Sequence, residues 1–156
     1  MEVKSGLGLG PIRFGMRRKE VEAVLGEPDE IERFDGDEFE GSITESWHYD
    51  EQEVSLSFDE ESGWRLIVIS VTSNDHLFEG QELIGMELEE FEDFIDALIF
   101  GDMDYEDCST PEMPNHQLIE VDELSMNFWF DDDALTEIQW SPLFDDEESI
   151  IWPVEE

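Results

Sequence analysis

The chain carries a single cysteine, Cys108, in 156 residues, so no internal disulfide can staple it and nothing marks it for an oxidising compartment. It also carries only seven lysines and arginines (Lys4, Arg13, Arg17, Arg18, Lys19, Arg33 and Arg65), and none follows position 65. Against 45 acidic residues this leaves a formal net charge of -38. Direct binding to nucleic-acid phosphates or to an anionic membrane surface is therefore disfavoured. No apolar run is long enough to span a bilayer, and Met1-Glu2-Val3-Lys4-Ser5-Gly6 lacks the apolar stretch of a signal peptide. A soluble cytoplasmic protein is the expectation.

With 39% hydrophobic and 12% aromatic residues, the chain is too apolar for a disordered acidic tail, and one folded domain over 1–156 is expected. Its charge repels itself, an effect that low salt sharpens and that counterions or a cationic partner relieve. The expected partner is a basic protein.

The pattern begins between Gly10 and Pro28. Ile12-Arg13-Phe14 reads as extended, Val21, Val24 and Leu25 line one face of a helix, and Gly26 with Pro28 stops it. About seventy residues on, Ile84-Gly85-Met86 precedes a second helix with Phe91, Phe94 and Ile95 on one face. Ser55-Leu56-Ser57-Phe58 matches Ser125-Met126-Asn127-Phe128 at the same offset, and a shift two residues longer aligns Leu56 to Asp59 with Phe128 to Asp131. Both alignments keep the same side chains on the same strand face. The pattern predicts an α+β fold of two tandem repeats, about 1–73 and 74–156. Each is a helix followed by an antiparallel meander, the two forming one sheet with the helices on one face.

Within the meanders, alternation points Trp47, Tyr49, Val54, Leu56 and Phe58 inward, and Thr44, Ser46, His48, Ser55 and Ser57 outward. In the second half Met126, Phe128, Phe130, Ile138 and Trp140 point inward, and Ser125, Asn127, Trp129, Glu137 and Gln139 outward. Leu66-Ile67-Val68-Ile69 breaks the alternation, as a central strand covered on both sides should. Val3 to Phe14 reads as a lead-in strand or loop across the sheet edge, Asp35 to Gly41 as a turn and Asp102 to Asn115 as irregular. Ile150, Ile151 and Trp152 are expected to anchor the acidic tail.

No chemical motif emerges. Gly6-Leu7-Gly8-Leu9-Gly10 lacks the lysine and the strand-loop-helix setting of a phosphate loop. Asp102 to Asp107 starts like a calcium loop but has Asp107 where glycine is needed and Met113 where the bidentate glutamate belongs. His48, His76 and His116 share no ligand spacing, and no histidine is placed by motif to activate a serine. No catalytic, metal or cofactor residue is assigned, and the expectation is a non-enzyme. A surface remains: His48, Trp129, Glu137 and Gln139, with the turn acids Asp131, Asp132 and Asp133, form the expected partner-binding set. The tryptophan offers a large contact area at low entropic cost.

Gly10-Pro11-Ile12-Arg13-Phe14-Gly15-Met16, Glu20-Val21 and Leu25-Gly26-Glu27-Pro28 resemble the segment leading into the first helix of the beta-lactamase inhibitory protein family. In the second half the resemblance is limited to Ile84-Gly85-Met86 and the apolar helix face. It implies a tandem helix-plus-sheet fold whose open sheet face grips another protein; the disulfides of the secreted inhibitor are absent, so a beta-lactamase is not the implied target. Acidic proteins of this kind are similar to bacterial immunity proteins. The functional expectation is an immunity protein that occludes the active site of a cationic toxin, a nuclease being one such target. The alternatives are a nucleic-acid mimic that inhibits a DNA-binding enzyme and a housekeeping or high-salt-adapted acidic domain.

Overall fold

Where apolar and polar residues alternate, the chain forms strands, and these pair into one large antiparallel sheet. The computed structural model describes residues 2–4, 6–36, 42–60, 63–72, 76–98, 103–112, 114–121 and 125–143. Of the expected turn at 35–41, Asp35 and Gly36 are instead the end of a strand, paired with Ile43 and Ser42, and the rest, like the tail with Ile150, Ile151 and Trp152, lies outside the described residues. The chain is mixed α and β, mostly strand. Strands β4 (Glu30–Gly36), β5 (Ser42–Tyr49), β6 (Val54–Asp59) and β7 (Arg65–Val71) form one meander. Strands β10 (Asp104–Asp107), β11 (His116–Val121), β12 (Met126–Asp131) and β13 (Ala134–Trp140) form another. They join through β7 and β13 in the order β10-β11-β12-β13-β7-β6-β5-β4.

Register places Ile119, Phe128, Ile138, Val71, Val54 and Tyr49 in one row across six of these strands, and all six are buried. Helix α2 (Leu88–Leu98) lays Phe91 on this side, with its ring 4.6 Å from that of Phe128 and 5.0 Å from that of Phe130. Helix α1 (Arg18–Leu25) buries Val21 in the same core, and the Tyr49 hydroxyl donates to the Gly26 carbonyl just past its end. Each fully buried aromatic contributes about 1.5–3 kcal/mol of transfer free energy, and ring pairs in this geometry add about 0.5–1.5. On α2 the expected face is buried at Phe91 and Ile95, whereas on α1 only Val21 is buried: Val24, expected on the same face, is 44% exposed, because a helix of eight residues lays little more than one turn on the sheet. Among the described residues no helix is long and apolar enough to cross a membrane.

The expectation of a single sheet is corrected. Strands β1 (Glu2–Lys4), β2 (Gly8–Leu9), β3 (Ile12–Arg13), β8 (Leu77–Phe78) and β9 (Gln81–Glu82) build a second sheet, in which β1 runs parallel to β8. Strands of two or three residues are too short to show a period, which is why the pattern did not predict them. Gly8 explains the glycines of the lead-in: its φ is +151°, and a Cβ there would overlap the Ile12 carbonyl oxygen. A second correction concerns Leu66 to Ile69. The pairing of β6 with β7 shifts between Ser57 and Phe58, so Ile67 is an extra residue, and Ile67 and Val68 are only half-buried. A bulge, not double coverage, breaks the alternation. Residues 104–107, expected to be irregular, are the edge strand β10.

One set of contacts occurs twice. The amide of Gly15 donates to the carbonyl of Leu66 and that of Leu66 to Met16; the amide of Gly85 donates to Leu135 and that of Leu135 to Met86. Arg17 bridges Arg65, and Glu87 bridges Ala134. Gly15 and Gly85 have φ of +94° and +93°. The bulge at Ser57/Phe58 has its counterpart between Trp129 and Phe130.

Candidate functional site

Because side chains alternate, burying one side of the large sheet commits the other to polar residues. Register aligns Glu30, His48, Ser55, Ser70, Gln139, Asn127, Glu120 and Asp104 into a row crossing all eight strands, and none of the eight is buried. Beside it run Glu106, Leu118, Trp129 and Glu137, paired across β10 to β13.

Short hydrogen bonds order this surface. His48 Nδ1 and Ser55 Oγ share a bond of 2.8 Å, Ser46 Oγ and Ser57 Oγ one of 3.0 Å, and the Ser70 hydroxyl donates to Glu137 Oε2 at 2.7 Å. His48 Nε2 lies 3.4 Å from Glu32 Oε1, close enough for ion pairing on protonation but without hydrogen-bond geometry. At the other end the His116 ring stacks on Trp129, with centroids 5.4 Å apart and planes 16° off parallel. His116, Trp129, Thr136, Glu137 and Gln139 line a shallow, open hollow of about 380 Å³.

The structure therefore does what no sequence motif indicated and places a histidine on a serine. Glu32, His48 and Ser55 follow one another like an acid-base-nucleophile relay. Ser55, however, sits inside a strand paired on both sides, where backbone N–H groups are committed to the ladder and none is aimed to stabilise an oxyanion. The geometry orders a surface more readily than it activates a nucleophile. Cys108 is no better placed: burial, and then the carboxylates of Glu106, Asp107 and Glu120, push its thiol pKa up. Asp107 itself is held below the usual carboxylate range by the Ser109 hydroxyl and backbone amide. Among the described residues no three His, Cys, Asp or Glu side chains converge to hold a metal ion.

Of the residues singled out from sequence, His48, Trp129, Glu137 and Gln139 lie on this polar side, His48 on β5 and the others on β12 and β13. Asp131 pairs with His116 at the end of the β11–β12 ladder. Asp132 and Asp133 lie elsewhere. They form the two-residue turn, with φ of +53° and +66°, and line a hollow with Gly85, Glu87, Leu88 and Glu89 at the start of α2. The Leu88 amide donates to the Asp133 carbonyl at 2.9 Å.

Three participants escaped the sequence reading. His116 joins Trp129 through a diagonal contact that no spacing encodes, and Ser70 reaches Glu137 from the adjoining meander. Glu45 is the third: 3% exposed on the inward side, it accepts the Trp47 indole N–H at 2.7 Å and pairs with Arg18 at 3.2 Å and Arg33 at 3.0 Å. The Arg18 guanidinium lies 4.3 Å over the Trp64 ring. His76 is buried against the Gln52 carbonyl and takes no part in the polar side. Compared with known proteins, the chain matches no family model, no curated protein and no solved structure.

Proposed function

We propose that this chain is a non-enzymatic cytoplasmic binding protein of the immunity type, which neutralises a cationic toxin domain by covering its active site with the polar side of the large sheet. The observation that carries the reading is the row from Glu30 to Asp104, eight polar side chains in register with none buried, on a chain of net charge -38. The field steers a basic partner in, and a desolvated contact around Trp129 slows its departure. The middle of the row is hydroxyls and amides, with carboxylates at its ends. That mixture suits a folded protein partner better than a mimic of evenly spaced phosphates.

The architecture behind the reading is two tandem helix-plus-meander units with both helices on the apolar side, as in the beta-lactamase inhibitory protein family. The doubled contacts of Gly15 and Gly85, the matched bulges, and the buried row that contains both Tyr49 and Phe128 support it.

The test is affinity capture from the native host with wild-type protein, with a double Trp129→Ala and Ser70→Arg variant, and with a control Glu89→Ala on α2. The expected result is a basic protein held by the wild type and the control, lost by the double variant, and inhibited at a one-to-one ratio. A partner that survives the double variant and is lost with the α2 control would contradict the reading.

A further inference from the structure

The protein builds one arginine site for itself. In the first half, Arg18 lies over the face of Trp64 and places a nitrogen on Glu45, so that aromatic face, guanidinium and carboxylate form one unit. Stacking and ion pairing act together there, and a planar guanidinium serves both at once.

On the polar side, Trp129 and Glu137 face each other directly in the β12–β13 ladder and wall the hollow that Thr136, His116 and Gln139 complete. Here the aromatic ring and the carboxylate are present without a cation. None can be supplied from the same half, because no lysine or arginine follows Arg65. The groups are preset. His116 supports the indole ring by stacking, Thr136 Oγ1 donates to the Trp129 carbonyl at 3.2 Å, and Ser70 fixes one oxygen of Glu137. Glu137 and Gln139 both line the hollow, and among the described residues the Ser70 hydroxyl is the one side-chain hydrogen-bond partner seen on either.

We propose that this hollow is a subsite for an arginine side chain of the cationic partner, with the guanidinium laid against Trp129 and its N–H groups donated to Glu137 and the Gln139 side-chain carbonyl. The proposal rests on the polar side being the docking surface and adds the anchoring residue of the partner. Arginine is favoured over lysine because its plane matches the indole and its fork spans two acceptors, whereas an ammonium is a hydrated point charge.

The test uses the full chain, ¹⁵N-labelled at tryptophan, titrated at fixed ionic strength with an arginine hexapeptide and, separately, a lysine hexapeptide. The expected result is a saturable shift of the Trp129 indole signal, assigned with Trp129→Phe, at about three- to tenfold lower arginine than lysine peptide concentration. In Glu137→Gln, which keeps the side-chain shape, the arginine affinity should fall by a similar factor. Equal response to both peptides, a Trp129 signal that does not move, or an unchanged affinity in Glu137→Gln overturns the subsite. A captured partner that occupies the polar side while the Trp129 indole ignores the arginine peptide overturns the subsite and leaves the docking surface standing.

Discussion

At the scale of single residues, Glu45 is the one buried carboxylate among the described residues. A carboxylate this deeply buried is expensive unless its lone pairs are met, and here one indole N–H and two guanidinium groups meet them. The chain commits two of its seven cations to this one acid. Since Arg18 and Arg33 are themselves partly in water, the expected effect lies near the lower end for a broken buried pair. Glu45→Gln should lower unfolding free energy by about 2–3 kcal/mol in urea titrations, and a loss below about 0.5 would contradict this account of the site. Its burial was legible in principle: Trp47 and Tyr49 were read as inward, and two residues back along the same strand face stands Glu45. Its partners were not, because Arg33 arrives through cross-strand register and Arg18 through the docking of a helix.

Among the elements, α1 is short, carries three cations near its start against its own dipole, and ends at Gly26 with φ of +85°. What ties its far end down is the Tyr49 hydroxyl, whose pKa is pushed up to about 12 by burial, then by Glu22 and Asp29. In the unfolded chain that phenol ionises near its ordinary value of 10.0. The folded state therefore holds the proton over an interval in which the unfolded state has lost it, and stability falls as pH rises from about 10 through about 12. Urea midpoints at pH 8 and pH 11 should show a steeper drop for wild type than for Tyr49→Phe; parallel drops would contradict the assignment. Tyr49 was legible as a core residue from the alternation, whereas its hydrogen bond was not. Helices and long hairpins were readable because period 3.6 and period 2 persist across them. The second sheet and β10 were not: the former is built from strands too short to show a period, and the latter is an edge strand, exposed at all four positions, whose Asp-Tyr-Glu-Asp shows no apolar alternation.

Across the whole molecule, charge and topology act together. The cations lie in the first 65 residues, where Arg18 and Arg33 serve Glu45, and the meander from β10 to β13 contains no lysine or arginine at all. Trp129, Glu137 and Gln139 could be read from the sequence because strand parity puts them on one side. His116 and Ser70 could not, since their contacts run between strands and depend on the register of β11 with β12 and of β7 with β13, which parity within one strand does not fix. Asp132 and Asp133 were read as partners of that surface, yet the left-handed turn carries them to the start of α2. Strand parity stops at a turn.

The central claim is that a basic partner lands on the polar side of the large sheet. The most direct measurement is side-chain NMR of the complex formed with the captured partner, following the tryptophan indoles and the Asn and Gln amides. The account predicts that Trp129, Asn127 and Gln139 shift together while Trp47 and Trp64 stay in place. Changes gathered at Trp64 and the start of α1, with Trp129 unmoved, would contradict it.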